Sequence, residues 1–126
     1  MEAGVHPREF IVMDIEKLKS YRGIISEIEA LETELCFLEH SSQMDQTGIK
    51  AIKERLTEKY EQLKNTKLEI ETWLDNLGDA EIRSIVRWHY FLGYNWRETS
   101  NKVFGRCYRN LAGKRISRFF AKNRPA

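Results

Sequence analysis

The sequence predicts an all-α protein, with an N-terminal antiparallel coiled-coil hairpin followed by a C-terminal three-helix helix-turn-helix domain. Three observations carry that reading. Apolar residues recur at alternating spacings of three and four along two long stretches, which is the period of a helix buried on one side. Nine residues of turn and capping type, His40 to Gly48, separate the two stretches. Beyond Asn76 the helical segments become short and are punctuated by Gly78, Gly93 and Gly105.

Residues 1–13 read as an N-terminal arm, residues 14–77 as the hairpin and residues 78–126 as the helix-turn-helix unit. In the first helix, Asp14 to His40, the residues Tyr21, Ile24, Ile28, Leu31, Leu35 and Leu38 form three a/d heptads. A second stripe, Ile15, Leu18 and Ile25, faces the rest of the protein. In the second helix, Ile49 to Leu77, the residues Ile49, Leu56, Leu63, Ile70 and Leu77 stand seven apart, with Ile52 and Trp73 between them. Lys59 and Thr66 are weak seam positions, and Tyr60 is expected to cover them. Two such helices bury only a thin core, so dimerisation or packing against the third region is expected.

Gly78 is placed as a left-handed helix end and Asp79 as the N-cap of the next helix. That helix, near 80–92, carries Ile82, Ile85, Val86, His89, Tyr90 and Leu92 at i, i+3, i+4, i+7 spacing and stops at Gly93. Asn95 and Glu98 have the spacing of a capping box for a short helix over 96–104, whose inner face is Trp96, Thr99, Ser100 and Val103. The last helix, near 108–121, turns Ala112, Ile116, Phe119 and Phe120 inward.

Charge is divided unevenly. Residues 1–78 carry 10 Lys+Arg against 16 Asp+Glu, a balance of −6, and residues 79–126 carry 11 against 3, a balance of +8. No acidic residue follows Glu98. A basic, aromatic-rich end on an acidic body suggests a polyanion partner, here double-stranded DNA. A short helix, a tight turn and a second helix set the second one proud of a domain, where it fits a major groove. The outer face of the last helix presents Arg109, Asn110, Gly113, Lys114 and Ser117 to base edges, with Gly113 allowing close approach of the backbone. Arg106, Arg115, Arg118, Lys122 and Arg124 are placed to meet phosphates, and Arg97 and Lys102 to meet the flanking strand.

The stretch LGDAEIRSIVRWHYFLGYNWRETSNKVFG resembles sigma factor region four and its phage relatives. The matching residues are Arg87, Tyr90, Gly93 and Trp96, with Glu98 at the usual acidic position and Thr99-Ser100 where Ile-Ala is common. GKRISRFF, Gly113 to Phe120, is similar to recognition-helix ends of ArpU/RinA-like regulators of phages and prophages. The resemblance implies a sequence-specific transcriptional regulator of phage or prophage genes. Its coiled coil would set homodimer geometry or meet RNA polymerase. The alternatives are a small terminase-like packaging component and a non-DNA adaptor docking on RNA polymerase.

No run of eighteen apolar residues exists, and the N-terminus lacks the pattern of a secretory signal, so a cytoplasmic setting without membrane contact is expected. Cys36 and Cys107 lie far apart, and His6, His40 and His89 are dispersed. Neither cysteine is read as standing at ligand spacing from a histidine, so no metal or cofactor is expected. No Ser/His/Asp order, paired-carboxylate setting or Gly-rich phosphate loop points to an enzyme. Trp73, Trp88 and Trp96 are read as core anchors.

Overall fold

In the computed structural model, residues 13–41, 46–105 and 110–123 are described, and all elements among them are helical. Helix α1 (Ile15–Glu39) begins at Asp14, whose carboxylate accepts the Lys17 amide at 2.9 Å. It ends at His40, whose amide donates to the Cys36 carbonyl at 3.1 Å. Helix α2 is Gln46–Asp75. The ion pairs Lys17–Glu69 (2.7 Å), Lys59–Glu27 (3.1 Å) and Lys53–Glu39 (3.8 Å) join the start of one helix to the end of the other, so the two run antiparallel.

Between them lies a seam of Ile24, Ile28 and Leu56, flanked by Leu31, Leu35, Ile52 and Leu63. The weak seam positions are resolved differently from expectation. Lys59 is half-buried and sends its ammonium to Glu27. Tyr60 is an exposed ring at the edge, its hydroxyl donating to Glu32.

Gly78 is not left-handed; among the described residues only Gly93 (φ 84°) and Gly105 (φ 71°) have positive φ. Helix α2 stops earlier, at Asp75, through the bonds Asn76 N–H to Trp73 O and Leu77 N–H to Leu74 O, both 3.1 Å. The Leu77 carbonyl, left over, accepts from the Arg83 guanidinium. A left-handed glycine is therefore not required here. Asp79 does cap α3 (Ala80–Ile85), accepting the Ile82 amide at 3.1 Å.

Helix α3 runs without a break into a π-helical segment, Val86–Phe91. The wider turn sends the Leu92 amide back to Arg87 O (2.9 Å) and leaves the Tyr90 carbonyl to accept from Arg22 of α1 at 3.3 Å. Gly93 then reverses the chain beside that guanidinium: a Cβ there would lie 3.1 Å from an Arg22 nitrogen. Helix α4 (Trp96–Phe104) starts in the full capping box of Asn95 and Glu98 and ends at Gly105. Helix α5 (Leu111–Lys122) starts three residues later than the sequence suggests.

Among the described residues a shared apolar core joins the long helix pair to the C-terminal helices. Leu18 and Tyr21 of α1, Ile70 and Leu74 of α2, Ile82, Ile85, Val86 and Tyr90 of the third helical run, and Ala112 and Ile116 of α5 are all buried in it. The stripe of Ile15, Leu18 and Ile25 thus packs on the C-terminal helices, as its position predicts. Trp73 stacks on Phe120 (centroids 5.8 Å, 19°) and meets Phe119 edge-on, tying α2 to α5. Trp96 lies on His89 (3.5 Å, 15°). Trp88 is no core anchor; it stands half-buried at the rim against Tyr94. No helix among the described residues is long and apolar enough to cross a membrane.

Two buried hydroxyls behave oppositely. Ser100 is fully buried, donates to Trp96 O at 2.7 Å and accepts the Ala112 amide at 2.9 Å. The Asn110 side chain makes no capping bond to α5, so Ser100 of α4 supplies that cap from another helix. The Tyr90 hydroxyl is buried with no hydrogen-bond partner among the described residues, and burial pushes its pKa up to about 12. Ser100→Ala should therefore cost about 1–3 kcal/mol by orphaning a buried amide. Tyr90→Phe, which removes only an unsatisfied group, should be neutral or stabilising. Thermal or urea unfolding of both variants separates the cases; equal losses would contradict the assignment.

Candidate functional site

Helices α4 and α5 stand at a fixed mutual angle because three contacts pin them. Ser100 joins them through the Ala112 amide. Ala112 and Ile116 insert into the shared core. The third is Arg115, whose guanidinium donates to Asp79 at 2.6 Å and to Glu81 at 2.9 Å, clamping α5 to the start of α3. Thr99 and Ser100, polar residues on the inner face of α4, are satisfied by the carbonyls of Tyr94 (3.3 Å) and Trp96.

That geometry sorts the basic residues expected to bind. Lys114, Ser117, Arg118 and Lys122 are exposed on α5, and Asn110 is exposed at its start. Lys114, Arg118 and Lys122 follow one another four apart, so they share a row. None of these three, nor Arg97 on α4, forms an ion pair among the described residues. Lys102 is exposed and sits over the rings of Trp88 (5.2 Å) and Tyr94 (5.9 Å), a cation on an aromatic shelf. Tyr94, Arg97, Glu98, Asn101 and Lys102 line a shallow hollow of about 470 Å³ on α4. Arg106, Arg109, Cys107 and Arg124 lie outside the described residues.

Two residues depart from their expected places. Arg115, expected to meet a phosphate, instead pairs inside the fold with Asp79 and Glu81. The pattern of acids at 79 and 81 and an arginine 36 residues later offers no local signal for that pairing. Gly113 is buried rather than on the outer face, and a Cβ there would fall 2.0 Å from Asn110 Oδ1. Its small size makes room for the Asn110 side chain folded over the first turn of α5.

The residues that carry the sigma-like pattern are structural in this fold. Arg87 pairs with Glu71 of α2 (2.7 Å), Tyr90 fills the core, Gly93 makes the left-handed turn, Trp96 covers His89 and Glu98 closes the capping box. His89 donates Nδ1–H to the Tyr94 carbonyl at 2.7 Å, and burial holds its pKa below the ordinary histidine value. It is thus a neutral core ring.

A feature missed at the level of sequence lies at the far end of the hairpin. Cys36 and His40 are four residues apart on α1, and Cys36 Sγ is 3.7 Å from His40 Nδ1. The expectation that neither cysteine stands at ligand spacing from a histidine fails here. Among the described residues, no group of three or more His, Cys, Asp or Glu is arranged to hold a metal ion.

Burial raises the Asp79 carboxyl, but the Ile82 amide and the Arg115 guanidinium outweigh it and hold the pKa below the usual carboxylate value. A carboxyl with a depressed folded-state pKa stabilises above its unfolded value, near 4, and loses that contribution as pH falls through the folded one. Stability of the intact chain should therefore drop as pH is lowered below about 4. Arg115→Met should be less stable at neutral pH and show a shallower acid loss, measured by urea unfolding across pH. Parallel curves for the two proteins would sink the pairing as a stabilising contact. Comparison with protein-family models, curated proteins and solved structures finds no match to this chain.

Proposed function

We propose that the chain binds double-stranded DNA, with α4 and α5 as the two helices of a helix-turn-helix and the α1–α2 pair as a coiled-coil scaffold. The observation that supports this best is the outward row of α5. Lys114, Arg118 and Lys122 stand exposed and unpaired among the described residues on a helix whose inner face is locked into the core. A fixed helix whose outward cations form no ion pair among the described residues suits a groove lined by phosphates. Arg115, ion-paired inside the fold, is left out of the contact set.

Asn110, Lys114 and Ser117 lie closest to the start and middle of α5, where a recognition helix meets base edges. Arg118 and Lys122, further along, together with Arg97 and Lys102 on α4, are assigned to phosphates. With the resemblance of residues 77–105 to sigma region four, the reading becomes a sequence-specific regulator of phage or prophage genes. RNA polymerase is then a second partner, and the hairpin is the dimer contact.

Competition binding to fragments of the neighbouring genome against random duplex, at two salt concentrations, tests it. Selective binding that weakens with salt is expected. Lys114→Ala should erase the preference between sequences. Lys122→Ala should weaken all duplexes alike and lower the salt slope by about one unit. Equal losses from both variants on every sequence would remove Lys114 from the base-reading face. No selective binding at either salt would discard the regulator reading, and an adaptor that docks on a protein surface would take its place.

A further inference from the structure

Resting on the reading that α4 and α5 face DNA, we propose that Trp88 and Tyr94 are positioning residues for Lys102. They hold its ammonium ready for one phosphodiester of a bound duplex. The shelf is fixed by the backbone first. The Tyr94 amide donates to the Trp88 carbonyl at 3.0 Å, and the Tyr94 carbonyl accepts from His89 Nδ1 at 2.7 Å and from the Thr99 hydroxyl at 3.3 Å. These bonds tie the turn before α4 on both sides of Tyr94. The rings of Trp88 and Tyr94 meet edge to face, with centroids 5.3 Å apart at 66°. Lys102, in the last turn of α4, sets its ammonium 5.2 Å from the Trp88 centroid and 5.9 Å from that of Tyr94. Both distances lie within reach of a cation–ring attraction.

Lys102 has a more usual partner and does not take it. Glu98 stands four residues before it on the same helix, the favourable order for an ion pair. The Glu98 carboxylate is turned back onto the Asn95 amide at 3.0 Å, and Lys102 forms no ion pair among the described residues. The rings therefore hold the ammonium without cancelling its charge, because a ring face carries a quadrupole and no net charge. An unheld lysine loses rotamer freedom on meeting an anion, and this one has given it up in the folded state. Arg97, Asn101 and Lys102 line the same hollow of about 470 Å³, so a second cation and an amide stand beside the held ammonium. Glu98 lines it too, with its carboxylate engaged at Asn95. A phosphodiester, singly charged and rich in acceptor oxygens, fits that set.

Duplex binding by the full chain, titrated over a range of salt, separates the holding of the cation from its charge. Lys102→Ala should lower the salt slope by about one unit on every sequence. Trp88→Leu keeps the cation but frees it, so the slope should stay and affinity fall by roughly two- to tenfold. Tyr94→Leu, which removes the other ring, should act in the same way. Trp88→Phe keeps a ring face and should recover most of the loss. With Lys102→Ala already in place, Trp88→Leu should cost nothing more, because no cation is left to hold. Helicity by circular dichroism shows that the variants fold. Equal losses from Trp88→Leu with and without Lys102 would overturn the assignment and leave Trp88 a packing residue of the rim. A Lys102→Ala protein with unchanged slope and affinity overturns it as well, while binding through α5 still stands. Absence of duplex binding by the unaltered protein removes the DNA reading itself, and the shelf's role with it.

Discussion

The short helices α3, α4 and α5 exist because the long pair completes their core. Six to twelve residues are too few to hold a helix in water on propensity alone. Ile82, Ile85 and Ile116 are fully buried only because Leu18 of α1 and Ile70 and Leu74 of α2 lie against them. Each such aliphatic side chain contributes about 1.5–3 kcal/mol on burial, so a cluster this size decides whether the end of the chain folds. The hairpin is therefore more than a spacer. Its base is half of the wall on which the candidate binding helix rests, and only its distal part, around Ile24, Ile28 and Leu56, is a thin two-helix seam.

Apolar burial sets which elements meet, but it is non-directional, and the aim of α5 comes from polar contacts. Ser100 fixes the start of the helix by capping it from α4, and Arg115 fixes its rotation by reaching Asp79 and Glu81. Arg115 and Lys114 are neighbours in sequence, yet about 100° apart around the helix. One is turned into the fold and the other is left outside. The same rotation buries Gly113 and exposes Ser117. Directional bonds inside the protein thus determine which cations remain for anything outside it.

Most of the framework was legible because it rests on local chemistry. Heptad spacing located α1 and α2; Asp14, Asp79 and Asn95 marked helix starts, and Gly93 and Gly105 marked stops, each by a bond or dihedral a few residues away. What escaped was of two kinds. The π-helical segment accompanies a bond from Arg22 to the Tyr90 carbonyl, 68 residues away, which leaves no periodic trace. The partners of Arg115 and the burial of Gly113 depend on the tertiary rotation of α5, which no spacing encodes. Cys36 and His40 are a different case. Their i, i+4 spacing is visible in the sequence and puts them on one helix face.

The division of charge now has a spatial meaning. Most acids of the first 78 residues lie along α1 and α2, and three of the bases there, Lys17, Lys53 and Lys59, are tied to them across the pair. In the last third the acids are consumed by structure: Asp79 and Glu81 by Arg115, and Glu98 by the capping box. Once those internal debts are settled, the surface of α5 is left almost wholly cationic, a stronger polarity than the net charge of +2 conveys. Opposite charge thus gathers in the two parts of the chain, over a distance set by the length of α1, about 37 Å for its 25 residues at 1.5 Å each. That exceeds the Debye length of about 8 Å at physiological salt several-fold. The acids at the far tip are therefore screened from α5, whose own surface sets its local field.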